Sequence, residues 1–465
     1  MLKLSIKPSY KLFNLKHGES YMSILIKNAY IVTMDENGAA EIPNGRLLIQ
    51  NNLISLIEDN SDGKADSIAA DKIIDAEGAV LMPGLSNTHT HLGMTLLRGY
   101  ADDTALKVWL EEQIWPAEAN LTAEDIYCGS LLGCLEMIRS GTTAFCDMYF
   151  FMDETAKAVE KSGIRGCLSY GMIEFGNDEK GNKELAVNEK FVSDWNGKAG
   201  GRITTMYGPH APNTCSQSFI ARAKDAAKKD GVGVHIHVLE TEAELNHMKE
   251  NFGMCSVHHL DAVDFWNTSD VPVLAAHCVW MSDGDIKLFA EKGVTVSHNP
   301  ISNMKLASGV APIQKMLDAG VKVTLGTDGC ASNNSLNLFE EMKTAALLQK
   351  VETMNPTALP AKAVVEMATK NGGRVIDKKT GILKVGNKAD MILIDIKKAN
   401  ATPIFDVYSH LVYSASGSDV KTMIVDGKIL MEDYSVLVLN EAEVIENAKK
   451  CALELAARTD EKKQK

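Results

Sequence analysis

Short apolar segments alternate with helical stretches from about residue 80 to about residue 330. This alternation is typical of βα units and of a parallel sheet. Eight such repeats over about 300 residues fit an α/β fold with a closed (β/α)8 TIM barrel. The alternative is an open doubly wound sheet, which usually has a Gly-rich phosphate loop after its first strand, and none is present there. The predicted strands are VLMPGLSNTH, TTAFCDM, GCLSYGM, ITTMYGPH, GVHIHVLE, VPVLAAHC, VTVSHNP and VKVTLGTDG.

Several helical stretches between these strands have clear end signals. Thr122 and Asp125 have the spacing of a capping box at the start of one predicted helix. Glycines typical of helix C-termini follow five of the stretches, at Gly141, Gly163, Gly231, Gly293 and Gly320.

The two ends of the chain differ from this middle part. Short alternating strands with turn signals fill residues 23–82 and return over residues 385–435, which predicts one small β-sandwich built from both ends. The barrel then spans residues 83–384, and a C-terminal helix with a charged tail covers residues 436–465. Residues 1–22 have lysines but no apolar core and no cleavage site, so we expect a disordered extension and no secretory signal.

Composition excludes several functional classes. The chain has 465 residues and a formal net charge of −13, which does not suit a general nucleic-acid binder. No apolar run reaches the roughly 18 residues of a membrane helix. The nine cysteines are odd in number and have no C-x-x-C pair, which argues against a disulfide framework and a Cys-type zinc site. We therefore expect a cytoplasmic protein with no nucleic-acid or membrane partner. Separately, we expect a homo-oligomer with a small-molecule substrate.

Histidines are concentrated where catalytic groups of a barrel lie, at the C-terminal ends of the strands. The chain has only 12 histidines. Seven of them fall at predicted strand ends, namely His89, His91, His210, His235, His237, His277 and His298.

The pair His89 and His91 gives the sharpest prediction. Residues i and i+2 of a strand point to the same face, so both imidazoles would enter the barrel mouth and share one metal ion. His235 and His237 have the same relation, and periodicity alone leaves open which of them is the third ligand. Asp328, after the eighth strand, offers a carboxylate. Three imidazoles and one carboxylate suit Zn²⁺, or else Fe²⁺.

Such an ion lowers the pKa of bound water towards about 7 and supplies a nucleophile at neutral pH. Asp328 could accept the proton of this water, and His277 could hold or relay it. Glu240 follows the fifth strand and could serve as an acid towards the substrate. Its alternative interpretation is a helix N-terminal carboxylate favoured by the helix dipole. Together these groups predict hydrolytic attack on an electrophilic carbon.

Two motifs that other metal-dependent hydrolases use are absent from the sequence. The fourth strand has no lysine that could be carbamylated and bridge two metal ions, so a single ion is favoured. The H-x-E and P-C-x-x-C motifs of the other zinc deaminase fold are also missing.

The motifs resemble those of the amidohydrolase superfamily, in its branch of 5′-methylthioadenosine/S-adenosylhomocysteine deaminases. The resemblance runs from about Ile24 to about Ala448. It includes MPGLSNTHTHLGMTLLRG, IWPAEANLTAED, HIHVLETEAE, VLAAHCVW, SHNPISNMKLASG and LGTDGCASNN. It implies a (β/α)8 barrel with a β-sandwich from both chain ends, as the alternation of elements predicts independently.

The resemblance also implies roles for individual residues. His89, His91 and His237 would be metal ligands, and Asp328 would be both the fourth ligand and the proton acceptor. Glu240 would donate a proton to the purine ring nitrogen. In the family reaction, hydroxide adds to purine carbon six and ammonia leaves.

Three further residues take roles from the same resemblance. His277 would be the second proton-handling group, Glu118 would bind the ribose hydroxyls, and His210 would contact the nucleoside.

Three positions depart from the family pattern in the segments expected to line the substrate pocket. Many members have Arg in the third strand, where this chain has Tyr170, and that Arg is thought to help hold the amino-acid carboxylate of S-adenosylhomocysteine. The family's P-Y-T-C has Asn213 at its second position here, and C-V-H ends in Trp280. We expect Tyr170 and Trp280 to contact the substrate, with the chemistry retained and the substrate preference shifted.

The leading hypothesis is thus deamination of 5′-methylthioadenosine, S-adenosylhomocysteine or adenosine to the inosine analogue. The alternative is hydrolysis of another substituted aromatic ring, such as guanine, 8-oxoguanine or an s-triazine. A catalytically inactive scaffold is a third hypothesis, but such proteins typically lose metal ligands, and every predicted ligand is present.

Overall fold

The computed structural model describes residues 23–61, 63–104 and 108–463. The extension expected over residues 1–22 lies outside these ranges. No helix within them is both long enough and apolar enough to cross a membrane.

The described strands form two sheets. The strands of the first sheet are β1 (Ile24–Val32), β2 (Glu41–Gln50), β3 (Leu53–Asp59), β4 (Lys72–Asp75) and β5 (Val80–Pro83), followed much later by β14 (Met391–Ile394), β15 (Val420–Val425), β16 (Lys428–Glu432) and β17 (Ser435–Val436). The strands of the second sheet are β6 (Leu85–Thr90), β7 (Thr142–Tyr149), β8 (Arg165–Met172), β9 (Ile203–Pro209), β10 (Gly233–Val238), β11 (Val273–His277), β12 (Thr295–His298) and β13 (Lys322–Leu325).

The helices lie mainly between the strands of the second sheet. Those that follow β6 to β11 are α1 (Trp115–Glu118), α2 (Ala123–Ser140), α3 (Met152–Ser162), α4 (Asp178–Trp195), α5 (Gln217–Asp230), α6 (Glu242–Phe252), α7 (Ser256–Asp261) and α8 (Asp283–Lys292). Those that follow β12 are α9 (Pro300–Lys305), α10 (Ile313–Asp318), α11 (Cys330–Asn333), α12 (Leu338–Glu352), α13 (Ala361–Glu366), α14 (Gly372–Ile376), α15 (Val407–Tyr413) and α16 (Glu441–Lys463).

The second sheet is a parallel barrel. Its strands pair in sequence order from β6 to β13, and every pair is parallel. The last strand returns to the first, because the backbone N–H of Asp328 donates to the carbonyl of His89 at 2.9 Å. The Thr88 hydroxyl also donates to the Leu325 carbonyl at 3.0 Å. The predicted TIM barrel is confirmed, and its strand ends meet at one mouth.

The first predicted barrel strand is divided between the two sheets. The segment VLMPGLSNTH was expected to be one strand, but β5 belongs to the first sheet and only β6 enters the barrel. Pro83 has no N–H to continue a ladder. A Cβ on Gly84 would lie 2.1 Å from the Thr143 side chain, so the chain crosses between the sheets at a position where only glycine fits.

The first sheet joins both ends of the chain. β5 pairs antiparallel with β14, so the early strands and the late strands form one ladder. This sheet has its own apolar core, which includes Ile26, Leu47, Leu81 and Leu393. A buried ion pair then fixes it to the base of the barrel, because Arg165 of β8 donates to Asp390 at 2.8 and 3.0 Å.

The predicted helix ends are present. Thr122 and Asp125 form a complete capping box at the start of α2, and Gly141 adopts the left-handed conformation after its end. The predicted C-terminal helix is α16, which packs against α2 through an ion pair between Arg458 and Asp125. These contacts cover the outside of the barrel next to its first and second strands.

Candidate active site

Four side chains from three barrel strands converge at the mouth. His89 and His91 lie at the end of β6, His237 lies in β10, and Asp328 follows β13. The Nε2 atoms of His89 and His91 lie 3.4 and 3.1 Å from Oδ1 of Asp328. Nε2 of His237 lies 3.4 Å from Nε2 of His91. The structure thus brings together the four predicted ligands.

The measured separations in this cluster suit one tetrahedral metal ion. Ligand atoms at the usual 2.0–2.1 Å from Zn²⁺ would lie about 3.3 Å from one another, close to the three separations of 3.4, 3.1 and 3.4 Å. Nε2 of His89 and Oδ1 of Asp328 are buried and have no hydrogen-bond partner among the described residues. Since buried polar atoms without partners are costly, this arrangement points to a cation between them.

Periodicity left open which of His235 and His237 joins the cluster, and the barrel places the two rings against different partners. Nε2 of His235 lies 2.9 Å from Nδ1 of His89, so His235 holds a predicted ligand and is not brought among the four atoms. Burial lowers the pKa of His89 to about 3 and that of His235 well below its usual value. Both rings are therefore neutral, and a neutral ring is what metal ligation requires of His89.

The other two imidazoles are oriented by backbone carbonyls. Nδ1 of His91 donates to the carbonyl of Met148, and Nδ1 of His237 donates to the carbonyl of His210 at 2.7 Å. Each ring thus directs Nε2 into the cluster. Burial lowers the pKa of His91, but the nearby Asp328 carboxylate outweighs it and raises that pKa to about 9.

Asp328 is held by two serines that the sequence reasoning missed. The hydroxyls of Ser302 and Ser332 donate to its Oδ2 at 2.6 and 2.8 Å, which leaves Oδ1 for the histidines. Burial raises the pKa of Asp328, yet the nearby His89 and His91 imidazoles outweigh burial and hold it well below its usual range. Ser332 lies four residues after Asp328 at the start of a short helix, a spacing that could have indicated this contact.

Glu240 and His277 face each other beside the ligand cluster. Oε2 of Glu240 lies 3.9 Å from Nε2 of His277. Burial raises the pKa of the Glu240 carboxyl above its usual value, which favours the protonated acid. Nδ1 of His277 lies 2.9 Å from Oδ1 of Asn303 and is assigned as the donor, so Nε2 is the atom available to Glu240.

The backbone under Glu240 is fixed by a different carboxylate. Buried Glu244 accepts from the N–H groups of Leu239 and Glu240 at 2.9 and 3.1 Å. Thr241 is the N-cap of α6, and its hydroxyl accepts from the Glu244 N–H. Glu240 therefore precedes the cap, so the interpretation as a helix N-terminal carboxylate fits Glu244 better than Glu240.

Two predicted substrate-binding residues lie next to the cluster. The Tyr149 hydroxyl donates to Oε1 of Glu118 at 2.7 Å, and the ring of Tyr149 lies 5.9 Å from that of His91. The His210 ring lies 4.7 Å from that of His237, and its Nδ1 bonds with the Thr214 hydroxyl. Burial lowers the pKa of His210 to about 4, so this ring is neutral at neutral pH.

The structure does not bring Tyr170 to the cluster. Cys167 belongs to the apolar interior of the barrel, so alternate residues of β8, including Tyr170, face the surrounding helices. Tyr170 accordingly pairs with Glu184 of α4. Burial raises the pKa of Tyr170, and the charge of Glu184 and the hydrogen bond to it raise this pKa further.

Trp280 follows β11 at the mouth, is partly exposed, and donates to the Ser308 carbonyl at 2.8 Å. Asn213 is exposed in a turn after β9.

A parallel barrel with three imidazoles and one carboxylate at its mouth is typical of the class of metal-dependent hydrolases. The family model described as "Amidohydrolase family" matches residues 80–430. The chain belongs to this metal-dependent family.

The named relatives of the chain are deaminases that act on adenosine-type nucleosides. The chain is 64% identical to 5′-deoxyadenosine deaminase of Methanosarcina mazei over 94% of this chain and 99% of that one. It is 51% identical to 5-methylthioadenosine/S-adenosylhomocysteine deaminase of Dictyoglomus thermophilum over 86% and 93%. An adenosine deaminase structure from Xanthomonas campestris, with bound zinc, has a TM-score of 0.88 and 32% identity over 93% and 98%. The prediction of a metal-dependent hydrolytic deaminase of the adenosine type is confirmed.

Proposed function

We propose that the chain deaminates 5′-deoxyadenosine and related 5′-modified adenosines, with one Zn²⁺ ion bound by His89, His91, His237 and Asp328. The observation that supports this most directly is the convergence of four ligand atoms beside the Glu240–His277 pair. Zn²⁺ suits this set of nitrogen and carboxylate donors, as Fe²⁺ also would. When bound, such an ion lowers the pKa of water and supplies a nucleophile at neutral pH.

Different acidic and basic side chains of the chain would carry out the individual proton transfers. One water is consumed, its oxygen bonds to purine carbon six, and the exocyclic amine leaves as ammonia. Glu240 is favoured in its protonated form and would give its proton to the ring nitrogen beside that carbon. Asp328 is favoured as a carboxylate, so it would take a proton from the water, and His277 would pass a proton on.

The contacts of Glu118 support recognition of the sugar. Tyr149 occupies only Oε1 of Glu118, so Oε2 is available to accept from ribose hydroxyls. Tyr170 faces the helices and is paired with Glu184, so it does not contribute to the choice between these substrates. We place S-adenosylhomocysteine below 5′-deoxyadenosine in preference because the relative from Methanosarcina mazei is named for 5′-deoxyadenosine.

A substrate panel tests this proposal. Ammonia release would be measured with 5′-deoxyadenosine, 5′-methylthioadenosine, adenosine, S-adenosylhomocysteine, guanine and an aminotriazine, on protein whose metal content is quantified. We expect the highest kcat/KM for 5′-deoxyadenosine, and no turnover by His89→Ala, which should also lose the metal. Activity confined to guanine or the triazine would overturn the proposal, and so would a metal-loaded protein inactive on every adenosine. The cytoplasmic location and the homo-oligomeric state stay predictions.

A further inference from the structure

Cys255, His258 and Asp285 form a second cluster of metal-binding side chains, away from the four ligands at the barrel mouth. Cys255 is the N-cap residue of α7, His258 lies in the first turn of that helix, and Asp285 lies in the first turn of α8. One ligand atom from each lies within 4.8 Å of the others. The three side chains thus join the starts of two helices on the outer layer of the barrel.

The separations in this cluster match those around a single ion. Sγ of Cys255 lies 3.3 Å from Oδ1 of Asp285, and Nε2 of His258 lies 3.5 Å from the same oxygen. With Zn–S near 2.3 Å and Zn–N and Zn–O near 2.0 Å, tetrahedral geometry would give about 3.5 and 3.3 Å for these pairs. The cluster needs little rearrangement to bind an ion.

The carboxylate is already held in position. Oδ2 of Asp285 accepts from the N–H and the hydroxyl of Ser282 at 2.8 and 2.6 Å in a capping box. Oδ1 is therefore directed towards Cys255 and His258. Asp285 is buried, Cys255 is partly buried, and His258 is exposed, so an ion could enter from the solvent on the side of the imidazole. The fourth position would be filled by water.

We propose that Cys255, His258 and Asp285 bind a second divalent ion of the Zn²⁺ class. One thiolate, one imidazole and one carboxylate are donors that such a borderline ion accepts. Without the ion, the Cys255 thiol donates to Asp285; burial raises the pKa of this thiol. Binding therefore releases the thiol proton, and one ion replaces one proton between the same side chains.

The position of this site connects it with Glu240. The hydroxyl of Ser256, next to Cys255, donates to Oε1 of Glu244 at 2.6 Å. Glu244 in turn holds the N–H groups of Leu239 and Glu240. An ion at Cys255 would thus stabilise the start of α7 and, through Ser256, the backbone that presents Glu240.

Cobalt substitution tests the proposal without any measurement of turnover. A thiolate bound to Co²⁺ gives a charge-transfer band in the near ultraviolet, and the four ligands at the barrel mouth include no sulfur. We would produce the full chain in Co²⁺-containing medium, count the metal per chain and record the spectrum. We expect two Co²⁺ per chain and the thiolate band for the wild type.

Single substitutions then assign the band. Cys255→Ser and the exposed His258→Gln should each reduce the content to one Co²⁺ per chain, and Cys255→Ser should abolish the band. The matched controls Cys128→Ser and His247→Gln should keep both ions and the band. A wild type with one ion and no band would overturn the proposal, as would a band that survives in Cys255→Ser. His258→Gln provides the second test if the cysteine variant fails to fold.

Discussion

Nδ1 of His89 lies 2.9 Å from Nε2 of His235, so two imidazoles on opposite sides of the barrel are joined by one hydrogen bond. This contact fixes the ring orientation of His89 and leaves its Nε2 for the cluster with Asp328. In the proposed site, His235 therefore positions a predicted ligand without being one itself.

Replacing His235 tests this positioning role. His235→Leu removes the partner of His89 Nδ1, and we expect metal affinity to fall about 10- to 100-fold, as for other partners of ligand histidines. His235→Gln can still hydrogen-bond with His89, so its metal affinity should fall less. The measurement is competition for the metal with a chelator. His298→Gln, at a buried histidine of β12, is the control, and equal affinity in all variants would contradict the assignment.

Glu240→Gln tests the proposed acid. The amide has nearly the same shape but cannot donate the carboxyl proton, so we expect kcat to fall about 10²- to 10⁴-fold while metal content is unchanged. Ammonia release and elemental analysis on one preparation give both quantities. The control is Glu242→Gln, two residues further on and exposed at the start of α6. Loss of metal from a folded Glu240→Gln protein would show that its role is misassigned.

The two serines on Asp328 make a double-mutant test. Ser302→Ala and Ser332→Ala each remove one hydrogen bond to a charged oxygen, which is worth about 1.5–3 kcal/mol, so kcat/KM should fall about tenfold or more in each. Because both hydroxyls donate to Oδ2, their effects should not be additive. Ser308→Ala is the control, since its buried Oγ makes no hydrogen bond within the described residues. Full activity in the double variant would rule out a positioning role.

Glu341 provides a prediction about stability and pH. Burial raises the pKa of this carboxyl well above its usual 4.5, although Asn333 donates to it. The stability that it contributes is complete below the pKa of the unfolded chain and is lost as pH rises through the higher folded value. Glu341→Gln removes this titration, so the variant should gain stability relative to the wild type as the pH rises above the pKa of the unfolded chain. Denaturant midpoints at several pH values measure this gain in stability, and Glu340→Gln, at an exposed position, is the control. A stability difference between Glu341→Gln and the wild type that does not change with pH would contradict the prediction.

Part of the site could be predicted because it depends on local periodicity. The i, i+2 spacing places His89 and His91 on one face of a strand whatever the rest of the chain does. In the same way, the spacing of Thr122 and Asp125 predicted the capping box that begins α2. Such features need only a few consecutive residues and the geometry of one element.

Other features depend on which strands become neighbours. Ser302 reaches Asp328 only because β12 and β13 are adjacent, and the two residues are 26 positions apart in the chain. Tyr170 was expected in the pocket on the basis of a motif position, but the pleat of β8 turns it towards Glu184. No local pattern contains these relationships.

The sequence by itself determined the barrel and the class of reaction and predicted the kinds of metal ligand, because alternating elements and histidines at strand ends are local properties. Only the tertiary structure decided between His235 and His237, since both lie on the same face of β10 and differ in depth within the barrel. The deeper imidazole meets Nδ1 of His89, and the one nearer the mouth meets Nε2 of His91. That difference in depth arises from the register between strands, which the order of residues in one strand does not specify.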